Sequence, residues 1–494
     1  MTSDCIVACG CGRNFLSKAA LDQHRRDKTR SASASAVPNP CVNIEISRVP
    51  DSVPMESSKA RRPLLFSFSL LLGPRIRCSH HASLVLTDTK KAPEIRNPKD
   101  RWLAKGAGNV VGTLTSASLN LCSSEPCISS SDHYDLICSY NWVNKKRPTI
   151  YVPGGAPIFE TISLPLTIKP DSGRHFINQN AKKIPDYPFE VVFQAAELMN
   201  PTVRFDEIDV LTNRNSLRKF FDFCKGRVQE SFRVNLHLVN DTLIIERCVR
   251  STTEFLHGSS DSGFGHNFEK AATRSSRGLE NSSGHHRVLR YDLGGLKCAV
   301  RFEVDASYDD PDTVGEGERH VAKAESYGEE VASLATAFSS IAVKKAGSGS
   351  TGGSADTIPR GAGTDQASVA ELKSRKDHGS KPKPNWLPQL WLGRTRYLIT
   401  GHHENGTFDD VRVYDLREEL EAWEKNEVNQ EALQKMAALL SRLRDTIRTN
   451  QGKSCVALCE KAVKPYTLRI HASTSGKGPL PASVVEKFWE KRTH

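Results

Sequence analysis

Apolar residues occupy every second position from Phe232 to Leu238, with polar residues between them. A period of two is typical of a strand that is buried on one face. The dipeptide at 240–241 is Asn-Asp, which favours a tight turn, and the run TLIIER follows it. The pattern therefore predicts a β-hairpin in this part of the chain.

Other stretches have the 3.6-residue spacing of an amphipathic helix. Residues 189–199 show this spacing, and a second helix is expected to run through Phe221 with Asn213 or Asn215 as its cap. The segment WLPQLWLG predicts a helix or turn followed by a strand. These stretches indicate a chain in which helices and strands are interspersed.

The C-terminal part has the longest helical pattern. Asp415 can cap a helix over 416–448, where apolar residues recur at helical spacing. Further strands are predicted over 411–416, 454–458 and 466–470, with a short final helix near 481–489. We therefore expect a mixed α+β fold in which β-sheets are flanked by helices.

Two apolar, strand-like runs end in charged triplets, EVD and ELK. Side chains at i and i+2 of a strand point to the same face, so Glu303 shares a face with Asp305. In the same way, Glu371 shares a face with Lys373. If the two strands are neighbours, three carboxylates and one ammonium group converge, which predicts a divalent-metal site with a cation beside it.

Composition indicates one sizeable folded region within a longer chain. The sequence has 494 residues, only 38% of them hydrophobic, and Gly, Ser and Pro are common. We expect a mostly disordered linker over 31–139 and a disordered insertion over 306–370, because both are rich in small and polar residues. The folded domain is then predicted to consist of residues 140–305 and 371–490.

The first 30 residues contain part of a C2H2-type zinc-finger pattern. Cys11 and His24 are separated by twelve residues, with an aromatic and a leucine at the usual positions between them. Cys9 is too close to Cys11 for the usual pair, and no second histidine or cysteine follows His24 at the expected distance. The segment is either a zinc-binding module that uses Cys9, Cys11 and His24 or a degenerate finger.

Charge and cysteine content limit the kinds of binding partner and the cellular location that we expect. The net charge of +11 and the isoelectric point near 9.0 favour an anionic partner such as nucleic acid. The first twelve residues are polar, unlike a secretory signal, so we expect reduced thiols and a location in the nucleus, the cytoplasm or both. The apolar run at 64–73 is about half as long as a membrane helix, so no membrane partner is expected.

The order of motifs from residue 140 to 489 resembles that of the decapping exoribonuclease (DXO-like) family, as a divergent, fungal-type member with an N-terminal finger-like extension. Five segments carry the resemblance, in order: RNSLRKFFDFC with the hairpin after it, GHNFE, EVD, ELK, and WLPQLWLG with the strands after it. Their alignment with the family's motifs marks eight positions: Arg214, Glu269, Glu303, Asp305, Glu371, Leu372, Lys373 and Gln389.

This resemblance implies a nuclease core akin to the PD-(D/E)xK superfamily. Its implied catalytic residues are Glu303, Asp305, Glu371 and Lys373. Metal ligands would be Glu269, Glu303, Asp305, Glu371 and the backbone carbonyl of Leu372, holding two Mg²⁺ or Mn²⁺ ions. Arg214 and Gln389 would contact substrate phosphates.

The implied substrate is an RNA 5′ end. Members of the family remove pyrophosphate from triphosphate ends or release incomplete or NAD-type caps, and some then degrade the RNA from 5′ to 3′. The resemblance also leaves a 5′-to-3′ exoribonuclease open as a protein partner.

Three other interpretations remain open from the sequence. The first is a catalytically weak or inactive relative that binds RNA ends or acts as a scaffold for another nuclease. The second is a zinc-finger nucleic-acid-binding protein, which the missing fourth ligand disfavours. The third is a prenyl diphosphate synthase, suggested by the aspartates at 309–312 but disfavoured because a second such motif and the all-helical pattern are absent.

Overall fold

The computed structural model describes residues 7–8, 14–15, 94–119, 127–130, 133–310, 354–376, 378–379 and 381–489. The chain divides into two units, Met1–His80 and His81–His494. In the first unit, strand β1 (Val7–Ala8) pairs antiparallel with β2 (Asn14–Phe15). The predicted zinc ligands Cys9, Cys11 and His24 and the apolar run at 64–73 lie outside the described residues.

The second unit contains the remaining described elements. Its strands are β3 (Ala107–Thr115), β4 (Tyr134–Val143), β5 (Thr149–Pro153), β6 (Ile158–Phe159), β7 (Leu166–Thr167), β8 (Ser172–Phe176), β9 (Val210–Asn213), β10 (Phe232–Val239), β11 (Thr242–Arg247), β12 (Thr253–His257), β13 (Thr273–Arg274), β14 (Ser282–Asp292), β15 (Lys297–Val304), β16 (Ala306–Ser307), β17 (Asp356–Arg360), β18 (Val369–Arg375), β19 (Tyr397–Glu404), β20 (Thr407–Asp415), β21 (Cys455–Cys459) and β22 (Thr467–Ser473).

Its α-helices are α1 (Gln179–Lys183), α2 (Glu190–Met199), α3 (Arg214–Cys224), α4 (Gly265–Ala271), α5 (Leu387–Leu392), α6 (Arg417–Lys425), α7 (Glu427–Thr449) and α8 (Ala482–Phe488). Short 3₁₀ segments occupy Pro98–Ala104, Ser116–Ser118, Ser260–Ser262 and Gln366–Ser368. No helix among the described residues has the length and apolar character needed to cross a membrane.

The strands of the second unit form two large mixed sheets and a two-stranded ribbon in the described part of the chain. The larger sheet has eleven strands in the order β17-β5-β4-β14-β15-β9-β11-β10-β21-β22-β3. The smaller sheet has seven, in the order β13-β6-β16-β18-β19-β20-β7, and the ribbon consists of β8 and β12. Most neighbours are antiparallel, but β9 runs parallel to both β11 and β15.

Helices cover both faces of the larger sheet, so its central strands are buried on both sides. On β15, Val300 and Phe302 belong to the core formed with α3 and α7, whereas Ala299 belongs to the core formed with α2 and α8. This alternation is the period of two expected for a strand. The predicted fold class, an α+β arrangement of mixed sheets with flanking helices, is confirmed.

The local predictions hold for most elements of the second unit. The hairpin predicted from Phe232 onward is the pair β10–β11, in which Val239 faces Thr242 across the turn. The helix predicted over 189–199 is α2, and Asn213 is the residue before α3.

The long C-terminal helix is the exception. The prediction of one helix over 416–448 is wrong, because α6 and α7 are separated at Asn426. Asn426 has extended backbone angles (φ −68°, ψ 123°), and its side chain accepts a hydrogen bond from the backbone N–H of Asn429. Asparagine favours this N-cap geometry over a helix interior, so it ends one helix and begins the next.

The predicted domain boundaries also need correction. Strand β3, inside the predicted linker over 31–139, forms the edge of the eleven-stranded sheet beside β22. Within the predicted insertion over 306–370, β16 joins the smaller sheet and β17 pairs with β5 in the larger one. Strand pairing supplies the backbone hydrogen bonds that the composition of these segments does not reveal. Strands β3, β16 and β17 therefore belong to the two large sheets, although the sequence assigned their residues to the linker and the insertion.

Candidate metal centre and arginine-lined cleft

The EVD and ELK triplets meet where the chain passes from one sheet to the other. Strand β15 of the larger sheet ends at Val304, and β16 of the smaller sheet begins at Ala306. Ala306 pairs with Ala370, the residue immediately before Glu371. The two triplets become neighbours through β16, although β15 and β18 belong to different sheets.

Asp305 stands at this crossing point and links the two triplets. Its Oδ2 atom accepts a hydrogen bond of 3.0 Å from the backbone N–H of Leu372. The Nζ atom of Lys373 lies 3.9 Å from the same oxygen and also donates to the Glu371 carboxylate. The structure therefore brings Asp305, Glu371 and Lys373 into one cluster.

Glu371 is the most heavily engaged carboxylate of this cluster. Its Oε2 atom lies 3.3 Å from Nη2 of Arg214, while Lys373 and Gln389 both donate to Oε1. The same Nη2 atom of Arg214 is 3.3 Å from the backbone carbonyl oxygen of Glu303. Arg214 and Gln389, which the sequence resemblance assigns to substrate phosphates, thus contact the acidic cluster directly.

Arg214 owes its position to the parallel pairing of β9 and β15. Asn213 of β9 is in register with Arg301 of β15, so both strands end at the same edge of the sheet. Helix α3 begins immediately after Asn213, which places Arg214 beside Glu303. Arg214 and Glu303, which are 89 positions apart, meet because parallel strands present their carboxyl ends together.

Glu269 approaches the cluster from α4. Asp171 fixes the start of this helix by accepting hydrogen bonds from the backbone N–H groups of His266 (3.1 Å) and Asn267 (2.8 Å). The Glu269 carboxylate is half-buried, with Oε2 at 3.9 Å from Nδ1 of His266. Its charge is close enough to raise the pKa of Glu303.

The pKa values of the acidic side chains are shifted in different directions by burial and by the neighbouring charges. Burial, together with the negative charge of Glu269, raises the pKa of Glu303 to about 7, even though water reaches this side chain in the cleft. Burial and the charge of Glu371 raise the pKa of Asp305 well above its usual range. The protein surroundings therefore do not fully balance the negative charge that these two groups carry when they are ionised.

Glu371 and Lys373 behave in the opposite way. Burial works to raise the pKa of Glu371, but the positive charges of Lys373 and Arg214 outweigh it and lower that pKa. Burial works to lower the pKa of Lys373, but Glu371 and Asp305 outweigh it and raise that pKa. Lys373 is therefore a permanent cation in the cluster at neutral pH.

The donor chemistry of the cluster fits hard divalent cations. Carboxylate oxygens from Glu269, Glu303 and Asp305 and the carbonyl of Leu372 are the ligand types that Mg²⁺ and Mn²⁺ prefer. The raised pKa values of Glu303 and Asp305 show a surplus of negative charge that a cation would relieve. Glu371 fits less directly, because its oxygens already accept bonds from protein donors.

A second group of metal-type donors lies elsewhere in the described residues. His378, His402 and Asp410 place one ligand atom each within 4.8 Å of one another, a tighter grouping than the acidic cluster has. His402 and Asp410 are paired across β19 and β20. However, Arg412 already donates to Asp410, with Nε at 2.6 Å from Oδ2. That ion pair competes with a metal for the only carboxylate of the group.

A cleft next to Glu303 is lined by four arginines that approach from different elements. Its walls include Arg214 and Arg218 of α3, Arg247 of β11 and Arg301 of β15. Its interior volume is about 160 Å³. Among the described residues, the Nε atom of Arg247 is buried without a hydrogen-bond partner. Such a cleft suits an anion with several oxygens.

Amide side chains complete the cleft. Arg218 Nη1 donates to Oε1 of Gln389 at 3.0 Å, which orients the Gln389 amide toward Glu371. Across the cleft, a Cβ atom at Gly284 would lie 2.7 Å from Oε1 of Gln179 and 2.8 Å from Oε1 of Glu303. A glycine at this position therefore lets the Glu303 carboxylate approach the neighbouring strand.

The sequence predictions did not include Arg218, Arg247 and Arg301. Arg218 could have been found, because it follows Arg214 by one helical turn and such residues share a helix face. Arg301 precedes Glu303 by two positions on β15, so it shares a strand face with it. Arg247 carries no such signal, because only the pairing of β11 with β9 brings it to the cleft.

Most of the chain matches a known protein family. Residues 113–489 match the family described as Domain of unknown function (DUF8563). The chain belongs to this family. A search of curated proteins found no significant match. The family match begins inside β3 and ends just after α8, so it covers most of the described part of the second unit.

Several solved structures are similar to this chain at low sequence identity. S. pombe Rai1 in complex with 3′-FADP is 10% identical, with a TM-score of 0.45, covering 73% of this chain and 98% of that one. Candida albicans Rai1 in complex with pU5 and Mn²⁺ is 13% identical, with a TM-score of 0.46 and coverages of 76% and 98%. K. lactis Dxo1 in complex with manganese is 9% identical, with a TM-score of 0.40 and coverages of 73% and 94%.

Proposed function

We propose that this protein is a divalent-metal-dependent phosphohydrolase that acts on the 5′ end of RNA. The observation that carries the proposal is the crossing at Asp305, which unites the EVD and ELK triplets beside a cleft lined by four arginines. Acidic side chains can bind the divalent cations that assist hydrolysis of phosphate esters and anhydrides. The arginines suit the phosphates themselves.

The chemistry divides between the two halves of the site. Glu269, Glu303, Asp305 and the Leu372 carbonyl would hold the divalent ions, which polarise a phosphoryl group and lower the pKa of bound water when present. Lys373 keeps its proton at neutral pH, so it can donate to charge that develops on phosphoryl oxygens. Its place within the acidic cluster supports this role.

The cleft side would bind and orient the substrate. Arg214 lies between Glu303 and Glu371, so its guanidinium can hold a phosphate next to the carboxylates. Arg218 fixes the Gln389 amide by a 3.0 Å hydrogen bond, which leaves a neutral donor near the same point. Orienting the reacting phosphate in this way lowers the entropic part of the activation barrier.

A direct experiment compares RNA substrates that differ only at the 5′ end. The purified full chain is incubated with 5′-triphosphate, NAD-capped and 5′-monophosphate RNAs in Mg²⁺ or Mn²⁺, and the released products are separated. Release of pyrophosphate, a cap fragment or nucleotides supports the proposal and names the chemistry. Absence of any product with all three RNAs and both ions contradicts it.

A catalytically weak or inactive RNA-end-binding protein is the second candidate. It is favoured by Glu371, whose two carboxylate oxygens are occupied by Arg214, Lys373 and Gln389. Such a protein would bind RNA ends through the arginine cleft without turning them over. Binding that distinguishes a 5′-phosphate from a 5′-hydroxyl, in the absence of products, would favour this candidate.

A further inference from the structure

The two-stranded ribbon β8–β12 presents one uniform face to solvent. Its register pairs Phe176 with Thr253, Arg174 with Phe255 and Ser172 with His257. Directly paired residues of antiparallel strands project to the same side of the ribbon. These six side chains therefore form one face, which we call the outer face: Ser172, Arg174, Phe176, Thr253, Phe255 and His257.

Two phenylalanines on the outer face are unusually accessible. Phe255 is 61% exposed and Phe176 is 42% exposed. Among the described residues of the chain, every other Phe, Tyr and Trp side chain is at least partly buried. An aromatic ring that is exposed to water costs free energy, and burying the ring against a partner recovers it. A pair of exposed rings on one face therefore indicates a binding surface.

The opposite face of the ribbon is held by helix α4. His175 stacks on His266 of that helix, with ring centroids 4.0 Å apart and planes inclined by 11°. Glu254 is paired with His175, so it also belongs to this inner face. Because α4 also carries Glu269, the ribbon is positioned on the same element as part of the acidic cluster.

The ribbon continues directly from the arginine-lined cleft. Residues 177–180, which follow Phe176, all line the cleft, and Arg247 precedes β12 by six positions. The backbone N–H of Ile177 donates to the carbonyl of Thr252 at 2.9 Å, which closes the base of the ribbon at the cleft wall. A ligand chain leaving the cleft at this point would meet Phe176 first and then Arg174 and Phe255.

We propose that the outer face binds the single-stranded RNA that extends from the 5′ end in the cleft. The inference rests on the proposed function for the position of the 5′ end. Phe176 and Phe255 stack on bases, which every nucleobase permits, and Arg174 contacts a phosphate between them. The two rings are diagonal neighbours on the ribbon, a spacing of roughly 7–8 Å between such positions.

Charge favours RNA over an apolar protein or a neutral lipid surface. The outer face contains Arg174 and His257 and no carboxylate, since Glu254 lies on the inner face. His257 packs edge-on against Phe255 with ring centroids 5.2 Å apart, so the cationic and aromatic groups are contiguous. Aromatic rings that alternate with basic groups form the typical surface for single-stranded nucleic acid.

The test compares short and long RNA. Fluorescence anisotropy, in buffer with EDTA to prevent turnover, measures the affinity of the full chain for a 5′-monophosphate dinucleotide and for an RNA of about 12 nucleotides. Phe176→Ala combined with Phe255→Ala is expected to weaken binding of the long RNA at least about tenfold, since stacking contributes roughly 5- to 150-fold per base. The dinucleotide affinity should change less than about twofold.

Two further variants separate stacking from general apolar contact. Phe255→Tyr keeps the aromatic ring and should bind the long RNA as the wild type does, whereas Phe255→Leu should weaken it. Val428→Ala, at an exposed apolar position (55% exposed) on α7, is the matched control and should have no effect. Thermal melting of each variant checks that the fold is unchanged.

The inference and the proposed function can fail separately. Turnover of a short 5′-triphosphate RNA tests the proposed function alone, and the ribbon variants should leave it unchanged. Equal affinity of the wild type and the double-alanine variant for the long RNA, or no length dependence in the wild type, overturns the ribbon inference. A second outcome also overturns it: the protein binds phosphatidylserine vesicles through Phe255, while the Phe255 variants bind RNA as tightly as the wild type does. That outcome would assign the outer face to membrane binding.

Discussion

The carboxylate of Asp305 accepts a 3.0 Å hydrogen bond from the backbone N–H of Leu372, which joins two segments that are 67 positions apart. This bond fixes Asp305 at the point where the chain leaves one sheet and enters the other. Glu303 and Lys373 are brought to the same place by the strands on either side. The candidate active site is therefore a property of the junction between two sheets rather than of either sheet.

Removal of the first acidic pair should abolish catalysis. Glu303→Ala combined with Asp305→Ala removes two of the four carboxylates, and we expect turnover of 5′-triphosphate RNA to fall at least about a thousandfold, because metal assistance contributes several kcal/mol. Initial-rate measurements in Mn²⁺ check this. Glu418→Ala combined with Glu419→Ala, at exposed positions in the first turn of α6, is the matched control. Retained activity in the first variant would show that the site has been misplaced.

Metal affinity should rise with pH. The pKa of Glu303 is about 7, so this carboxyl is partly protonated below neutrality and protons compete with the metal. The pKa of Asp305 is shifted in the same direction. We expect Mn²⁺ to bind more weakly as the pH falls from 8 to 6, with protons released on binding. Calorimetry in buffers of different ionisation enthalpy measures both. Affinity that does not change over this range would contradict the prediction.

The unbalanced negative charge of Glu303 should also make the stability of the fold depend on pH. A carboxyl whose folded-state pKa is raised destabilises the fold as the pH rises above its unfolded-state value of 4.5. Glu303→Gln removes this cost, so without added metal it should melt at a higher temperature than the wild type at pH 8 and at a similar temperature at pH 4. Added Mn²⁺ should stabilise the wild type and leave the variant little changed. A lower melting temperature of the variant at pH 8 would count against the charge surplus.

Arg218 should affect substrate binding more than the chemical step. It holds the Gln389 amide by a 3.0 Å hydrogen bond and lines the cleft. We expect Arg218→Ala to raise KM about tenfold, the usual effect of losing one hydrogen bond to a charged group, with a smaller change in kcat. Steady-state kinetics separates the two constants. Arg417→Ala, an exposed arginine on α6, should change neither.

Glu424 should stabilise the helix that carries Gln389. Its carboxylate accepts hydrogen bonds from Nε1 of Trp391 (2.7 Å) and from the backbone N–H and hydroxyl of Ser130 (2.7 and 2.6 Å). We expect Glu424→Ala to lower the free energy of unfolding by about 2–4 kcal/mol, because the buried indole N–H loses its partner. Urea denaturation measures this. Glu421 is an exposed residue of α6, the helix that also carries Glu424. Glu421→Ala should lower the free energy of unfolding by about 0.5 kcal/mol or less.

The contribution of Glu424 should also depend on pH. Burial works to raise the pKa of this carboxyl, but the hydrogen bonds from Ser130 and Trp391 lower it below 4.5. The stabilisation is therefore complete above pH 4.5 and is lost as the pH falls through the folded-state pKa. The difference between the wild type and Glu424→Ala should shrink in acid, and a difference that stays constant as the pH falls below 4.5 would contradict this assignment.

The sequence by itself determined the local structure and the main chemical groups. The alternation after Phe232 predicted a strand because side chains of a strand have a period of two. Of the two candidate caps Asn213 and Asn215, Asn213 precedes the helix, although its side chain makes no capping hydrogen bond. The same period predicts that Glu303 and Asp305 share a face, although β15 ends at Val304 and Asp305 lies between β15 and β16. Local periodicity and motif order were enough for these features, since each depends on neighbouring residues.

Only the tertiary structure decided how these pieces meet. The pairing of Ala306 with Ala370 and the parallel register of β9 with β15 join residues that are far apart in the chain, and no periodic pattern specifies a partner strand. Arg247 and the outer face of the β8–β12 ribbon acquire their positions through such pairings. The sequence named the carboxylates, and the junction of two sheets placed them beside the arginine-lined cleft.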